Sequence, residues 1–389
     1  MEHASTANGK LPRELLELIF KNLCPTIEDR DSDPGQLDRL LLVCRFWTMV
    51  ALDYRHLWSS IFIILKREPD YAFWTSYART RLQRAGPTEP LQIKLITRGL
   101  YNQTDQDEEM KILLSILTGS TGEVAQRWRQ LVCVSTKPTT KRIYDHFFSF
   151  PTPKLEILII NGVSILQTYQ FLPDTPSLSE LRLAWCNIPH IKDLSSLICL
   201  DITMSGNAAN LLEQATRLER YKYTHLRDWE LTRTIHLPRL LHLEIMAPFF
   251  SGSLNRLTAP NLVGLRIHLP RSDHISWVFN APGIPLRALR ELDLYSCLMD
   301  EQLDKGELRK LLLATPNLKK LSSGQPNIAV LLLCLLLDMD NLHQAAPGLL
   351  FGCLNDTALL GVGEERQKTI MRLLEIIKEK YKHLLYISV

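Results

Sequence analysis

At 389 residues the chain has room for two or three ordinary domains, and 46% hydrophobic with 22% charged residues is the composition of a folded globular protein. The 45 basic and 42 acidic residues leave a formal charge of +3, which excludes a strong overall field toward nucleic acid or an anionic membrane. The longest purely apolar run, residues 328–337, ends at Asp338 and Asp340, short of the roughly twenty residues a membrane span needs, so it reads as a buried helix.

Residues 1–9 are polar, lack the apolar core of an export signal, and are expected to be disordered. From Leu11 the apolar residues fall at 11, 15, 16, 19, 20 and 23, one stripe of a 3.6-residue period, with Pro12 in the first turn where a helix tolerates it. A loop rich in Pro, Asp and Gly follows. A second periodic segment then runs through Leu37, Leu40, Leu41, Val43, Cys44, Trp47, Val50 and Ala51, and a third turn ends at Leu57-Trp58. So short a unit buries little apolar surface and is expected to leave part of its stripe for a partner.

Leu11-Pro12-x-Glu14-Leu15-Leu16-x-x-Ile19-Phe20, then Leu42-Val43-Cys44-Arg45-Phe46-Trp47, then Leu57-Trp58 resembles the F-box motif in its usual order. The resemblance implies a three-helix hairpin over residues 10–62 that packs on the Skp-type adaptor of a cullin-RING ubiquitin ligase. It implies that Leu11, Pro12, Leu15, Leu16, Ile19 and Phe20 lie at or near that contact, with Leu42, Val43, Cys44 and Trp47 supporting it. The loop between the first two helices is longer than the commonest family form.

Residues 66–100 read as a connector: a helix carrying Tyr71, Trp74, Tyr77, Ala78 and Leu82, a turn at Gly86 to Pro90, and a strand in the alternation Leu91-x-Ile93-x-Leu95. This helix-then-strand passage is similar to the segment that follows the F-box in proteins of mushroom-forming fungi. Residues 101–325 carry a recurring short pattern, often Pro-x-Leu-x-x-Leu-x-Leu, whose first leucine falls at 155, 178, 197, 218, 240, 262, 289 and 318, at steps of 19 to 29 residues. That spacing fits leucine-rich repeats, in which each short strand buries its inward leucines only by stacking on neighbours. Trp128-Arg129-Gln130-Leu131-Val132-Cys133 reads as an earlier, degenerate copy. The repeat family places Asn or Cys three residues beyond the last motif leucine; Cys186 and Cys297 match, Ser205, Leu226, Pro248 and Pro270 do not, and the array is expected to be irregular.

Strand alternation points the residue between the last two motif positions away from the core. Along the array it is Ile159, Arg182, Asp201, Lys222, Glu244, Arg266, Asp293 and Ser322, and the six from Arg182 to Asp293 alternate in sign. Two readings stand: the charges satisfy one another on an exposed sheet, or they form a polar floor for a target, flanked by Glu180, Arg220, His242 and Glu291. Residues 326–389 leave the motif. The amphipathic stretch 364–386 fits a cap over the last repeat, or a helix for a partner or membrane surface, since its lysines and arginines outnumber its glutamates.

No phosphate loop, dinucleotide fingerprint, nucleophile elbow or His-Glu-x-x-His occurs, and the eight cysteines form no Cys-x-x-Cys pair. No enzyme, cofactor or metal is expected. The fold expected is α/β: a three-helix F-box, an irregular leucine-rich-repeat solenoid with a parallel sheet, and a C-terminal helical cap. The function implied is a cytoplasmic or nuclear substrate receptor that binds the adaptor, and through it a cullin, at one end and an unknown target protein on its repeats, without nucleic acid or membrane. A chain that binds the adaptor without directing degradation has the same sequence features.

Overall fold

The structure, a computed structural model, describes residues 11–23, 36–66, 68–98, 107–135, 149–162, 174–186, 191–205, 209–225, 231–247, 251–268, 278, 281–295, 305–323, 350–351, 368 and 372. The segment 1–9, the apolar run 328–337, Cys297 and, apart from the helical Lys368 and Arg372, the stretch 364–386 lie outside these residues. The chain divides into two compact units, Met1–Leu194 and Ser195–Val389.

The first unit opens with α1 (Arg13–Leu23), α2 (Gln36–Leu41), α3 (Arg45–Asp53) and a 3-10 turn at Arg55–Trp58, and passes at once into β1 (Ser60–Leu65). Then come α4 (Tyr71–Ala85), β2 (Leu91–Thr97), α5 (Asp107–Thr118), β3 (Trp128–Ser135), β4 (Ile157–Gly162) and β5 (Glu180–Ala184). All five strands pair in parallel, each with its successor. Helix α4 starts where the Asp70 carboxylate accepts from the Phe73 N–H (2.8 Å), and it stops at Gly86. One face of the sheet buries Ile61 and Ile63, Ile93 and Leu95, Leu131 and Cys133, Leu158 and Ile160, and Leu181 and Leu183, while α5 buries Leu113, Leu114 and Leu117.

Parallel pairing therefore begins at Ser60, well before the first leucine motif. The sequence pattern does not mark β1 because its burial is nearly continuous: Phe62, Ile61, Ile63 and Leu65 are all buried, and in β2 Lys94 and Ile96 are buried on the face opposite Ile93 and Leu95. A strand covered on both sides reads as an apolar run and loses its alternation.

In the second unit β6 (Cys199–Thr203), β7 (Arg220–Thr224), β9 (His242–Met246), β11 (Gly264–His268), β12 (Glu291–Tyr295), β13 (Lys320–Ser323) and β14 (Leu350–Phe351) form a parallel ladder in that order. Short helices α6 (Ala209–Gln214), α7 (Ser251–Leu254) and α8 (Lys305–Ala314) lie between strands, and β8 (Ile235–His236) pairs with β10 (Leu257–Thr258) as a separate two-stranded ladder. Leu200 and Ile202, Tyr221 and Tyr223, Leu243 and Ile245, Leu265 and Ile267, and Leu292 and Leu294 are buried as alternating pairs.

The segment ahead of the first motif leucine is a turn repeated at the entry of seven strands, with proline at its second position in five of them. The N–H of the first motif leucine donates three residues back: Leu155 to Thr152, Leu178 to Thr175, Leu218 to Ala215, Leu240 to Leu237, Leu262 to Ala259, Leu289 to Leu286 and Leu318 to Thr315, at 3.0 to 3.2 Å. Proline at the second turn position presets φ, and the leucine at the fourth drops into the core. Side chains then tie one turn to the turn before: the Ser177 hydroxyl donates to the Pro153 carbonyl, the Asn261 amide to Pro238 and the Asn317 amide to Arg287, each at 2.7 Å.

At the other end of the strand the chain turns through a left-handed residue, Trp185 (φ 57°) after β5 and Met204 (φ 51°) after β6, so that Cys186 and Ser205 point inward and are buried. Ser205 thus fills the place that Cys186 fills. Its hydroxyl donates to the Thr203 carbonyl at 3.0 Å, which lets a residue outside the family preference sit there.

Because each strand is held by its neighbours, truncating one inward leucine acts on the whole ladder. Leu262→Ala is expected to cost the second unit about 2 to 5 kcal/mol, the range for a fully buried leucine. Denaturant unfolding followed by the Tyr221 and Tyr223 signal checks this; a loss below about 0.5 kcal/mol, the level of a surface substitution, contradicts the ladder core.

Candidate functional site

The N-terminal helices split their apolar residues between core and surface. On α1, Leu16 and Phe20 are fully buried, and the Phe20 ring meets Trp47 of α3 edge-on with centroids 5.3 Å apart. Leu37, Leu40, Val50 and Ala51 complete this small core. The same helix turns Leu15 (47% exposed) and Leu18 (55%) outward, with Pro12 exposed and Leu11 and Ile19 half-buried. Leu42, at the end of α2, is 83% exposed; Val43, Met49 and Leu52 are exposed as well, and Cys44 and Trp47 are half-buried.

This alters the roles expected from the sequence. Leu16 and Phe20 have no surface left for a partner and act by holding α1 against α3. Leu42 and Val43, expected to support, are both exposed, and Leu42 is the most exposed large apolar residue among the described residues. Leu18 stands at an unspecified position of the recognised motif, and Met49 and Leu52 lie outside it; the signal of all three is apolar character at helix positions that the core does not use. Six exposed large apolar residues in so short a stretch make a candidate docking surface.

Polar contacts set the frame. Arg13 pairs with Glu17 at 2.8 Å and with Asp53 of α3 at 3.4 Å, and the Thr48 hydroxyl donates to the Leu41 carbonyl at 2.7 Å. Trp58 joins these helices to the sheet: its indole N–H donates to the Ala51 carbonyl at 2.8 Å, Arg84 of α4 lies over its ring at 4.1 Å, and Arg81 at 5.2 Å. The buried Arg81 also donates to the Leu57 carbonyl at 3.1 Å. No flexible linker separates the helical domain from the first strand.

The charged column is present on the second unit's ladder. Asp201 pairs in register with Lys222, Lys222 with Glu244, Glu244 with Arg266, and Arg266 with Asp293. Lys222 reaches Glu244 Oε1 at 3.1 Å; Arg266 reaches Glu244 Oε2 at 3.4 Å and Asp293 Oδ2 at 2.5 Å; the Thr203 hydroxyl donates to Asp201. Partial burial works against the Arg266 charge, but Asp293 and Glu244 outweigh it and hold the guanidinium pKa above its ordinary value. Arg182 stands in the first unit, beside Ile159 in register and paired with Glu180 of its own strand. There the same column reads Phe62, Lys94, Val132, Ile159, Arg182, apolar for most of its length, with Phe62 and Val132 buried.

One feature of this face escaped the sequence reading. A Cβ on Gly264 would strike the His242 imidazole, so the glycine gives the ring of the neighbouring strand its place. A lone glycine inside a strand pattern is the signal for such a close approach.

Among the described cysteines, Cys133 and Cys186 are buried, and burial drives the Cys133 thiol pKa up, which suppresses the thiolate. No described helix is long and apolar enough to cross a membrane.

Removing both Arg266 and Asp293 in a double-mutant cycle is expected to return a coupling of about 0 to 1 kcal/mol, as for exposed pairs. The coupling should shrink as salt is raised. A salt-insensitive coupling of several kcal/mol, measured by denaturant unfolding, would show the ladder to be a buried network instead.

Compared with known families, residues 9–64 match the F-box-like model. No curated protein matches the chain.

Proposed function

We propose that this chain, an F-box-like domain continued by a parallel-strand solenoid, is the substrate-recognition adaptor of an SCF-type cullin-RING ubiquitin ligase. The F-box-like family consists of non-catalytic adaptors, and such domains typically bind Skp-type subunits. The observation that carries the reading is the division of labour within residues 11–58: a closed core at Leu16, Phe20 and Trp58, and apolar groups at Leu15, Leu18, Leu42, Val43, Met49 and Leu52 that the chain itself leaves uncovered. Pro12 and Leu11 extend that surface along α1. The chain performs no chemistry in this reading. It holds a target near the ubiquitin-loaded enzyme and raises the effective concentration of target lysines there.

Direct attachment supports the reading. Because Trp58 is clamped between the Ala51 carbonyl and the Arg84 guanidinium, the adaptor-binding helices are packed directly onto the first strands of the solenoid. For the target, the solvent face of the second unit carrying Asp201, Lys222, Glu244, Arg266 and Asp293 is the proposed contact, and Arg182 is a separate candidate on the first unit. The work is cytoplasmic or nuclear, where the ligase resides.

Two variants separate core from contact. Leu15→Asp with Leu42→Asp is expected to abolish co-purification of the Skp-type adaptor with little loss of stability, since hot-spot changes cost about 2 kcal/mol or more each in binding. Leu16→Ala is expected to cost about 2 to 5 kcal/mol of stability instead. Full adaptor recovery with the double aspartate variant counts against the assignment. Arg266→Glu, which sets three like charges side by side, is expected to reduce recovered target at unchanged adaptor. Targets that bind but do not accumulate when the chain is deleted would mark an interaction protein that does not direct degradation.

A further inference from the structure

The charges on the solvent face of the second unit are largely engaged with one another: Glu244 is shared by Lys222 and Arg266, and Asp293 is taken by Arg266. Unpaired charge lies elsewhere in that unit, on the edge where the entry turns stack. Arg217 and Arg239 occupy the third position of their turns, Arg287 the second, Arg290 and Lys319 directly follow the buried leucines, and Arg220 opens β7 at the end of its turn, on the same strand face as Lys222. All six are exposed, and among the described residues none of them has an ion-pair partner. Glu219, half-buried, is the one carboxylate among these turn residues besides Glu291, which faces Lys320 in register.

Backbone hydrogen bonds place these turns one on the next: Leu241 N–H to Glu219 (2.9 Å), Val263 to Leu241 (2.8 Å), Arg290 to Val263 (2.8 Å) and Lys319 to Arg290 (2.8 Å). From β7 to β13 the edge spans four strand spacings, about 19 Å. Cations on adjacent turns, Arg217 with Arg239 and Arg287 and Arg290 with Lys319, thus lie about one strand spacing apart, within the screening length of about 8 Å at physiological salt, while the uncharged turn at 259–264 leaves a gap of about 10 Å between the two groups. A chain whose whole formal charge is +3 concentrates along this edge six positive charges that have no ion-pair partner among the described residues.

We infer that this edge docks an extended, acidic segment of the target protein, rich in Asp and Glu. An extended chain rises about 3.3 Å per residue, so about six residues run the length of the edge. The cations are strung out and exposed, which suits distributed carboxylates; a single phosphate is held by guanidiniums converging on one point. The turn residues 215–220, 237–242, 259–264, 286–291 and 315–320 include no Phe, Tyr or Trp, so the stacking platforms that single-stranded nucleic acid uses are lacking on this edge. The inference rests on the target-binding role proposed for the solenoid and names the chemistry of what it binds.

The test uses the full chain and a fluorescein-labelled peptide of ~12 residues alternating Glu and Ser, followed by anisotropy at about 50 and 200 mM salt. Its Gln counterpart and an oligothymidylate of equal charge serve as comparisons. Binding of the Glu peptide that weakens with salt is expected, and about tenfold weaker binding by Arg217→Glu/Arg239→Glu/Arg287→Glu. A control with equal net charge, Arg79→Glu/Arg98→Glu/Lys154→Glu in the first unit, is expected to lose no more than about twofold. Equal losses in both variants would reduce the effect to net charge and overturn the proposal; so would equal affinity for the Gln peptide, no binding of the Glu peptide, or tighter binding of the oligothymidylate. Circular dichroism confirms that each variant is folded, and Arg217→Gln/Arg239→Gln/Arg287→Gln, which adds no new charge, is expected to fall between wild type and the Glu variant. Adaptor co-purification is read on the same samples: its absence in the wild type refutes the ligase reading, whereas its retention alongside unaltered peptide binding refutes only the docking edge.

Discussion

A five-residue strand with two inward side chains has nothing of its own to bury them against, and this deficit organises the molecule. Leu243 and Ile245 of β9 are covered only because Tyr221 and Tyr223 lie on one side and Leu265 and Ile267 on the other. Register follows from the same need, since a slip of one residue would put Lys222 or Glu244 into the core. The entry turn makes the stacking repeatable. Its leucine seals the core, a proline sets the backbone in five of the seven turns, and Ser177, Asn261 and Asn317 at the third position bond to the preceding turn.

The helical domain uses the opposite arrangement. Its core is closed by a handful of groups, chiefly Leu16, Phe20, Leu37, Leu40, Val50 and Trp58, and its remaining apolar residues face out. Such a unit gains stability from being continued: Trp58 is packed as much by α4 of the following ladder as by α3. Arg81 fits this position because a guanidinium can lie over two rings, Trp58 and Tyr77, while donating to a backbone carbonyl; a lysine would offer a point charge with no flat face.

Charge is sorted by location. On the sheet face alternating signs neutralise one another across strands, at small net gain, and the geometry tolerates them because Leu and Ile on the other face set the register. On the turn edge the signs are alike. That contrast separates charges that neutralise one another from charges that reinforce one another, and net charge per chain, close to neutral, hides it.

Periodicity and motif in the chain were enough to recognise the helical domain at its N-terminus, the repeat of short parallel strands, and the alternation that sends Asp201, Lys222, Glu244, Arg266 and Asp293 outward, because each depends on spacing of two, 3.6 or about 22 residues. Three things were decided only by tertiary structure. The ladder's start at Ser60 was hidden, since strands buried on both faces carry no alternation. The separation of Leu16 and Phe20 from Leu15 and Leu42 needed the packing of α1 on α3: all four are apolar residues in one motif, and only burial distinguishes a group that holds the helix from one left for a partner. The basic edge was dispersed at intervals of some twenty residues, and its members became neighbours only when the turns stacked about 4.8 Å apart.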